Sequence, residues 1–469
     1  MRRKKCDRLY EDFQTGRRKG VFLLKSTPGS GKSYFADLFL YYLNEVHKIK
    51  AYYFILPKNL QDLENKLKNK CGYDSNELIY YSGKPFFIII DETQSLYKEY
   101  DKFWDNVKAI GDRNPNVKVL CFASYGSVRA IESRSFGTPM CFLENNTNGF
   151  EFFKFDKDEF NEIIESFKEK IPVDDKEYFE INSELADLIY QQSASHPELT
   201  TATLRFLVNR VHNMKHEERD FLNISSLLFS LDYMRTISGT KTCPKFAQED
   251  LSIPQIEIIK SIHLHNGVPT FMYATGNFKN LEELEKFGII TQDFKNQKYV
   301  FVSKVLGSII FSMLFDIPQQ NSYIENPEKL DKKEIIQRAL QGMNKDNFIL
   351  VNQFKELNSK NKTEKTLSED QWVCEFFRSL RALLDSKSYF IVCQAGSEVG
   401  CEGEVDLYVN GKLQLAIEIT REGSDVSEHL GRLYRNYHFP IGSIYYVIDF
   451  RGKNFREMNI IQKINYHMI

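Results

Sequence analysis

Two clusters of residues in this sequence have the types and spacing that handle phosphate and divalent metal ions. The first is STPGSGKS at 26–33, where small residues precede a lysine and a serine. Backbone N–H groups of such a loop surround phosphate oxygens, and a helix that starts at the lysine adds its positive dipole end. We expect Lys32 to reach the β- and γ-phosphates of a nucleotide and Ser33 to bind Mg²⁺ through its hydroxyl.

The loop departs from the full phosphate-binding pattern at one position. The pattern has glycine six residues before the lysine, and this chain has Ser26 there. Gly29 and Gly31, at the positions where the backbone approaches phosphate most closely, match the pattern. The residues predicted to surround the phosphates are Pro28, Gly29, Ser30, Gly31, Lys32 and Ser33.

An acidic pair after an apolar run is the second feature of a nucleotide site. PFFIIIDET at 85–93 predicts a strand buried on both faces that ends in Asp91 and Glu92. We expect Asp91 to order Mg²⁺ through water and Glu92 to polarise the attacking water. One apolar strand ending in acid is common, but its place downstream of the loop, with another strand between, favours an NTPase core.

Further residues are candidates for nucleotide contact. The predicted strand VLCFAS ends at Ser124, where many NTPases place a polar sensor of the γ-phosphate. Arg129 and Arg134 follow, and each is either an arginine finger or a solvated charge on a helix face. His196-Pro197 resembles the GHP-type motif of the STAND group of signal-transduction NTPases. This resemblance implies contact with the nucleotide. The alternative is that the pair only breaks the chain between two helices.

The second cluster consists of carboxylates near the end of the sequence. The segment 403–423 predicts a hairpin that brings Asp406 and Glu418 onto neighbouring strands, and Glu375 lies on the preceding helix. Carboxylate oxygens at short range are ligands for a divalent metal, and such a metal activates water for attack on a phosphodiester. The order of elements is similar to that of PD-(D/E)xK nucleases, which have the restriction-endonuclease fold. Asp406 and Glu418 are the predicted metal ligands.

The lysine of that nuclease pattern is missing. Two residues after the second acid the chain has Thr420, which supplies no charge. Arg421 points to the opposite face of a regular strand, so it substitutes only at a bulge or a strand end, and Lys412 on the turn is a weaker donor. Glu369 is an alternative acid on the same helix. Its place in the first turn is, however, already explained by the favourable interaction of a carboxylate with the helix dipole. Cleavage of DNA and mere binding of DNA or a protein both stay open.

The elements that must position these residues follow from the hydrophobic pattern. Between residues 21 and 148, short apolar runs alternate with amphipathic segments, which predicts a parallel α/β sheet. The predicted strands are Val21–Leu24, Ala51–Leu56, Phe86–Ile90, Val117–Ala123 and Met140–Leu143. Asp156 is predicted to cap the first helix of a helical lid.

The predicted fold class is α/β and multidomain: a P-loop NTPase with a parallel sheet and a helical lid, a winged helix, and a restriction-endonuclease-like α/β domain. The predicted divisions are a basic leader at 1–20, the NTPase core at 21–149, the lid at 150–249, the winged helix at 250–316, a connector at 317–367 and the nuclease-like domain at 368–469. The winged helix, with its two-stranded wing at 288–303, suggests DNA recognition. Its acidic helix at 281–286 favours an interaction module instead.

Composition limits the class of protein. The 469 residues carry a net charge of −2, which excludes a uniformly basic nucleic-acid binder but leaves room for a local basic groove. The 8 cysteines form no CxxC pair, which indicates a reduced, intracellular protein. No apolar run is long enough for a membrane helix, and the basic N-terminus lacks the apolar segment of a signal peptide. The basic clusters at 2–5 and 17–19 are either a bipartite nuclear-import signal or a solvated leader.

The order of domains resembles the Crinkler effector family of oomycetes and fungi. The segments QWVCEFFRSL and ITREGSDVSEHLGRLYRNY are similar to two segments of that family. The residues that correspond are Glu375, Arg421, Glu422, Gly423, Glu428, His429, Arg432 and Tyr437. The family's N-terminal translocation header has no counterpart here, so we expect either a header-less form or a shortened chain.

The resemblance implies a secreted effector that acts in a host nucleus and causes cell death or altered transcription. Its partners would be double-stranded DNA, host nuclear proteins and further copies of itself, and its cofactors ATP or GTP with Mg²⁺. Glu428, His429 and Arg432 would approach the scissile phosphate, with His429 as a proton shuttle. The alternative for these three is a helix face that packs against its neighbours.

Overall fold

The computed structural model of this chain describes a defined set of residues, to which all structural statements below apply. These are residues 3–15, 20–55, 60–93, 101–124, 147–169, 181–215, 224, 227–228, 230–245, 250–264, 267–269, 278–293, 296–314, 324–343, 369–384, 389–395, 405–410, 413–421, 426–436, 443–451 and 457–465. None of the helices in these ranges has the length and apolar character to span a bilayer.

The first part of the chain builds a five-stranded parallel sheet. Its elements are α1 (Arg3–Gln14), β1 (Val21–Ser26), α2 (Lys32–Tyr41, continued by a π-helical turn at Tyr42–Val46), β2 (Ala51–Ile55), α3 (Leu60–Cys71), α4 (Ser75–Ile79), β3 (Phe86–Asp91), α5 (Asp101–Arg113), β4 (Val117–Ser124) and β5 (Thr147–Asn148). The strand order is β2-β3-β4-β1-β5, with every pairing parallel. The four longer strands coincide with predicted ones, whereas the predicted strand at 140–143 lies outside the described residues.

The register of this sheet aligns the ends of the strands that carry the predicted site. β3 is buried along its whole length, as its apolar sequence predicts, and its last residue is Asp91. Ser26 at the end of β1 pairs with Ser124 at the end of β4. Because carboxyl ends of parallel strands meet at one edge, the loop after β1 and the acid of β3 lie at the same edge of the sheet.

Helix α1 is part of the folded core. Cys6, Leu9 and Phe13 are buried, and the Phe13 ring packs edge-on at 5.2 Å from that of Phe87 in β3. This segment therefore differs from the solvated leader that was one of the two alternatives for residues 1–20. The basic cluster at 17–19 lies outside the described residues.

Helices follow the sheet in the region predicted to be a helical lid, and this region is called the lid below. It consists of α6 (Lys157–Lys168), α7 (Ser183–Ser193), α8 (Pro197–His212) and α9 (Leu231–Ser238). Asp156 caps α6 and forms a capping box with Glu159, so this predicted cap is confirmed. Buried Glu159 also pairs with Lys5 of α1, which attaches the lid to the core.

Three helices and a small antiparallel sheet occupy the described part of the region predicted to be a winged helix. The elements are α10 (Ile253–Leu264), β6 (Val268–Pro269), α11 (Phe278–Lys286), β7 (Ile290–Asp293), β8 (Lys298–Phe301) and α12 (Lys304–Met313). The sheet order is β6-β8-β7, and the β7–β8 hairpin coincides with the predicted wing. The assignment of the whole region as a winged helix stays a prediction.

The last part of the chain contains a second five-stranded sheet. It comprises α13 (Lys332–Gln341), α14 (Glu369–Leu383), β9 (Ile391–Ala395), β10 (Val405–Val409), β11 (Leu415–Arg421), α15 (Val426–Asn436), β12 (Ile444–Arg451) and β13 (Glu457–Asn465). The order is β13-β12-β11-β10-β9; β11 and β12 are parallel and the other pairings antiparallel.

Part of the predicted connector is folded onto this C-terminal region. The Ser379 hydroxyl of α14 donates to the Ala339 carbonyl of α13, and the Ile324 N–H donates to the Leu383 carbonyl at 3.0 Å. Residues 324–343 thus pack on α14. The polar composition that suggested a connector is that of a half-exposed helix, whose buried positions are Ile335, Ile336 and Ala339.

Candidate functional site

The loop between β1 and α2 has the backbone of a phosphate-binding loop. Gly29 and Gly31 have φ values of 69° and 81°, a region that residues with a Cβ rarely adopt. Gly31 is the N-cap of α2, which begins at Lys32. The N-terminus of α2 therefore opens toward the loop, where its dipole favours an anion.

Lys32 is buried against the loop. Its ammonium donates to the carbonyl oxygens of Thr27 at 2.7 Å and Ser26 at 3.1 Å. Burial lowers the pKa of Lys32 to about 8, although the negative charges of Asp91 and Glu92 act in the opposite direction. An ammonium has three donors, so these two contacts hold the charge at the loop and leave capacity for a phosphate oxygen.

Ser33 and Asp91, which the sequence predicts as magnesium ligands, are in direct contact. The Ser33 hydroxyl donates to Asp91 Oδ2 at 2.6 Å. The Tyr53 hydroxyl from β2 donates to the same oxygen at 3.0 Å; burial, followed by the charge of Asp91, raises the pKa of that phenol. A hydroxyl and a carboxylate oxygen are the hard ligands that Mg²⁺ prefers, so these residues fit the ion.

Glu92 follows directly in a strained conformation. Its φ is 62°, and its N–H donates to Asp91 Oδ1 at 2.9 Å. A left-handed residue that is not glycine costs roughly 1–3 kcal/mol and is typical of functional sites. The next residue, Thr93, donates to the Phe122 carbonyl of β4 at 2.9 Å, which fixes the chain on both sides of Glu92.

The remaining predicted contacts are only partly placed. The backbone of Ser124 lies beside Ser26 in the sheet, but its side chain lies outside the described part of the structure, as do Arg129 and Arg134 entirely. Their predicted roles as sensor and arginine finger stay predictions.

His196 lies between the loop and the lid. It is fully buried, and its Nε2 is 3.1 Å from the Thr27 hydroxyl and 3.4 Å from that of Thr242. The left-handed residues Ala194 and Ser195 precede it, with φ values of 47° and 52°. His196 therefore fixes the lid against the loop, and its neighbour Pro197 faces the adjoining cavity.

A cavity of about 640 Å³ adjoins the loop. Its walls come from the start of α2, the start of α8 and the end of α9. They include Gly31, Tyr34, Pro197, Thr201, Arg205 and Arg235. Its size is within the usual range of small-molecule sites, roughly 300–1,000 Å³. Tyr34 is 63% exposed, so an aromatic face is available there.

The sequence did not identify Glu198 and Thr242 as site residues. Glu198 Oε2 accepts from the Thr242 N–H at 2.9 Å, and Oε1 from the Lys241 N–H at 3.1 Å. The Thr242 hydroxyl is 3.1 Å from the Pro28 carbonyl of the loop. No local pattern marks a threonine so distant in sequence, whereas Glu198 directly follows the His-Pro pair, which is a sequence signal for this part of the site.

Each predicted carboxylate of the C-terminal region has a described partner. Glu375 is buried and held by Arg378, whose Nε is 2.9 Å from both carboxylate oxygens. Asp406 Oδ2 accepts from the Ile419 N–H at 2.6 Å. Glu418 is 1% exposed and its Oε2 is 3.2 Å from His429 Nδ1.

Other residues of this region also have local partners. The Thr420 hydroxyl donates to Asp449 Oδ1 at 3.3 Å, and both residues are buried. Arg432 pairs with Glu428 on the surface of α15, and Arg421 ends β11. Among the described residues, no three His, Cys, Asp or Glu side chains come together as a metal site. The structure thus does not bring the predicted trio Glu375, Asp406 and Glu418 together around a metal.

Comparisons with known proteins give similarities in structure only. No protein-family model and no curated protein matches the sequence. A Walker-type ATPase of Pyrococcus abyssi is 13% identical, with a TM-score of 0.38 over 66% of this chain and 95% of that chain. The RuvB Holliday junction branch migration motor of Thermotoga maritima is 15% identical, with a TM-score of 0.31 over 64% and 90%.

The ORC1 protein of Aeropyrum pernix, solved in complex with DNA, is 13% identical, with a TM-score of 0.31 over 67% of this chain and 92% of that chain. At these values the likenesses carry no argument about the chemistry of this chain. The resemblance to the Crinkler family stays a prediction.

Proposed function

We propose that the parallel sheet and its lid bind a nucleoside triphosphate with Mg²⁺ and hydrolyse it. The observation that carries this proposal is the convergence of Lys32, Ser33 and Asp91 at the carboxyl edge of the sheet. These three residues come from the loop and a strand distant in sequence. Their types match the needs of a phosphate chain and its cation.

Each part of the nucleotide has residues suited to it. The backbone of residues 29–33 takes the phosphates, and the Lys32 ammonium offsets their charge. Mg²⁺ at Ser33 and Asp91 would neutralise charge on the phosphate oxygens. The cavity beside Tyr34 and Pro197 takes the base and ribose, with either ATP or GTP as the nucleotide.

Glu92 is the residue proposed to act in the chemical step. It follows Asp91 directly, at the edge of the sheet where the phosphates are proposed to bind. There it would orient a water whose oxygen attacks the γ-phosphorus as the bond to the β–γ bridging oxygen breaks. The strained backbone of Glu92 supports a functional rather than a structural reason for this conformation.

The test is binding and turnover of ATP and GTP by Lys32→Ala. We expect loss of binding by two orders of magnitude or more, because the buried charge that faces the phosphates is removed. Lys48→Ala is the matched control, since Lys48 is exposed on the surface and pairs only with Glu45 in the described contacts. Unchanged binding and turnover in Lys32→Ala would show that the loop assignment is wrong.

A second candidate function is Mg²⁺-dependent cleavage of double-stranded DNA by the C-terminal region. It is supported by the order α14, β9, β10, β11, α15, β12, which is the predicted order, and by the adjacency of β10 and β11, the strands of Asp406 and Glu418. The tie between Glu375 and Arg378 weighs against it. The Crinkler resemblance suggests host nuclear DNA as the target.

Plasmid DNA with Mg²⁺ and ATP tests this second function. We expect nicking by the native chain and at least tenfold slower nicking by Glu418→Gln, with Glu325→Gln, at an exposed position before α13, as the control. Absence of nicking by the native chain would leave the alternative, a nucleotide-controlled protein that binds DNA or a protein partner.

A further inference from the structure

The carboxylate of Glu198 lies directly on the phosphate-binding loop. A Cβ built on Gly29 would lie 1.9 Å from Glu198 Oε2 and 2.8 Å from its Cδ. This face of Gly29 is therefore covered by a negatively charged group. Gly29 is also one of the residues whose backbone is proposed to take the phosphates.

This carboxylate is fixed in place. It accepts from the N–H groups of Lys241 and Thr242 and lies 2.7 Å from the Thr242 hydroxyl. That hydroxyl also lies 3.1 Å from the Pro28 carbonyl. Glu198 and Thr242 together form a polar clamp, named here the Glu198–Thr242 clamp, that joins the lid to the loop.

An anion in this position competes with the proposed ligand. The α2 N-terminus and the loop amides attract negative charge, and a carboxylate within a few ångströms of a phosphate group repels it, more strongly where water is partly excluded. Each additional phosphate adds to this repulsion, because the negative charge near the loop increases. A nucleoside without phosphate does not experience it.

We infer that Glu198 is a specificity-determining residue that penalises each phosphate added to the nucleotide, so that binding of a triphosphate lifts the Glu198–Thr242 clamp from the loop. The inference rests on the proposed nucleotide binding and assigns to it a dependence on the number of phosphates. The lid is then closed most firmly when the loop holds the fewest phosphates.

A structural role for Glu198 predicts a different outcome. Glu198 is the acidic residue in the first turn of α8, where a carboxylate stabilises a helix through the dipole. If that were its whole role, its neutralisation would lower the stability of the lid. It would not change affinity in a manner that depends on phosphate number.

The experiment compares Glu198→Gln with the native chain by calorimetric titration with adenosine, ADP and ATP, and with the guanosine series. We expect equal affinity for the nucleoside, tighter binding of the diphosphate, and about tenfold tighter binding of the triphosphate. Glu184→Gln is the matched control, because Glu184 occupies the first turn of the neighbouring helix α7 and is exposed.

Thr242→Val provides a second variant that keeps the charge of Glu198 but removes the hydroxyl at Pro28. We expect faster hydrogen exchange in residues 197–201 and 239–243 of the free protein, and a smaller change in that exchange when ATP binds. Equal gains of Glu198→Gln for nucleoside and triphosphate, or no gain, would overturn the inference. If the native chain and Glu198→Gln both fail to bind any nucleotide, the proposed function fails instead.

Discussion

At the scale of single residues, the candidate site contains groups whose burial or backbone conformation destabilises the folded protein. Lys32 is an amine buried to the point that its pKa falls to about 8, and Glu92 has a left-handed backbone without being glycine. Burial of a charge and backbone strain both destabilise a fold. Their occurrence in residues at one edge of the sheet indicates that the chain tolerates them for a ligand that reverses the cost.

The affinity for nucleotide should depend on pH through Lys32. Its pKa in the folded protein is about 8 against an ordinary 10.5, so the ammonium that binds phosphate is lost as pH rises through 8. We expect the ATP dissociation constant to rise between pH 7 and 9, approaching a tenfold increase per pH unit above 8. Lys32→Arg, whose guanidinium stays charged, should give a flat profile wherever it still binds.

The free energy of unfolding should change with pH in the opposite direction in the free protein. Between pH 8 and 10.5 the unfolded chain holds the Lys32 proton and the folded chain does not, so this residue makes stability rise with pH across that window. Lys32→Met should remove that rise in urea titrations. A rise of the same size in both proteins would show that Lys32 is charged in the free fold.

Gly29→Ala should test the contact with Glu198 separately from the backbone. Alanine at φ 69° costs roughly 1–2 kcal/mol, and its Cβ would collide with Glu198 Oε2 and Thr242 Oγ1. We expect a loss of stability larger than the backbone term alone, measured by urea unfolding. Adding Glu198→Ala to Gly29→Ala should recover the part of the stability loss that exceeds the backbone cost. If the stability losses of the two single variants simply add in the double variant, the Glu198–Thr242 clamp does not cover Gly29 in solution.

The loop and the acid of β3 could be predicted because their signals are local in sequence. Glycines before a lysine and serine require only the residues of one turn, and Asp91 follows an unbroken apolar run. Tyr53 and Thr242 could not be found this way, because their roles arise only when β2 and the end of the lid fold beside the loop.

At the scale of elements, the turn between α7 and α8 aims the lid at the loop. Two consecutive left-handed residues, Ala194 and Ser195, reverse the chain so that buried His196 meets Thr27. Pro197 then starts α8 at the first helical position, where its fixed φ is favourable. The His-Pro pair is thus both a break between helices and a contact with the loop.

Ala194→Gly should stabilise the protein. Ala194 is the residue that ends α7, with a φ of 47°, a position that glycine occupies at lower cost. We expect a gain of roughly 1 kcal/mol in the free energy of unfolding, because glycine removes a left-handed penalty of about 1–2 kcal/mol and adds an entropic cost of roughly 0.5–1 kcal/mol. Thermal or urea unfolding measures it, with Ala186→Gly inside α7 as a control that should lose roughly 1 kcal/mol. A loss of stability in Ala194→Gly would show that the turn depends on the Cβ.

Strands were easier to predict than amphipathic helices of polar composition. The apolar runs of β1, β3 and β4 stand out because both faces are buried. In contrast, α1 and α13 bury only one stripe and carry many charges, so their sequences alone predict a leader and a connector. Asp406 and Glu418 lie on the predicted strands, but the partner of Glu418, His429, comes from helix α15. Glu375 pairs with Arg378 one turn further along its own helix, α14.

At the scale of the whole molecule, contacts connect the loop at 26–33 to the C-terminal sheet. Lys25, next to the loop, is 3.8 Å from Glu285 of α11. The Phe311 ring of α12 lies 5.1 Å from that of Phe377 in α14. Buried apolar residues form one cluster from the lid through α12 to β12. This continuity predicts that the lid and the C-terminal region unfold together.

Nucleotide binding should therefore stabilise the C-terminal region, although its sheet is separate from the loop. The chain has 2 tryptophans, Trp104 in α5 and Trp372 in α14, whose ring stacks on Phe450 at 4.2 Å. In a Trp104→Phe background, fluorescence reports unfolding at Trp372. At 100 times the dissociation constant, ATP should add about 2.7 kcal/mol to the free energy of that transition.

Phe311→Ala is the variant that separates coupling from simple stability. Removing this ring should cost about 3–5 kcal/mol and leave the loop unchanged, since Phe311 lies in α12. If Phe311 carries the coupling, ATP still binds, but its effect on the Trp372 transition falls well below 2.7 kcal/mol as the two parts unfold separately. If ATP fails to shift Trp372 in the unmodified background while it binds with full affinity, the two sheets are independent units, and the output of the nucleotide site must lie in the lid or in α10–α12.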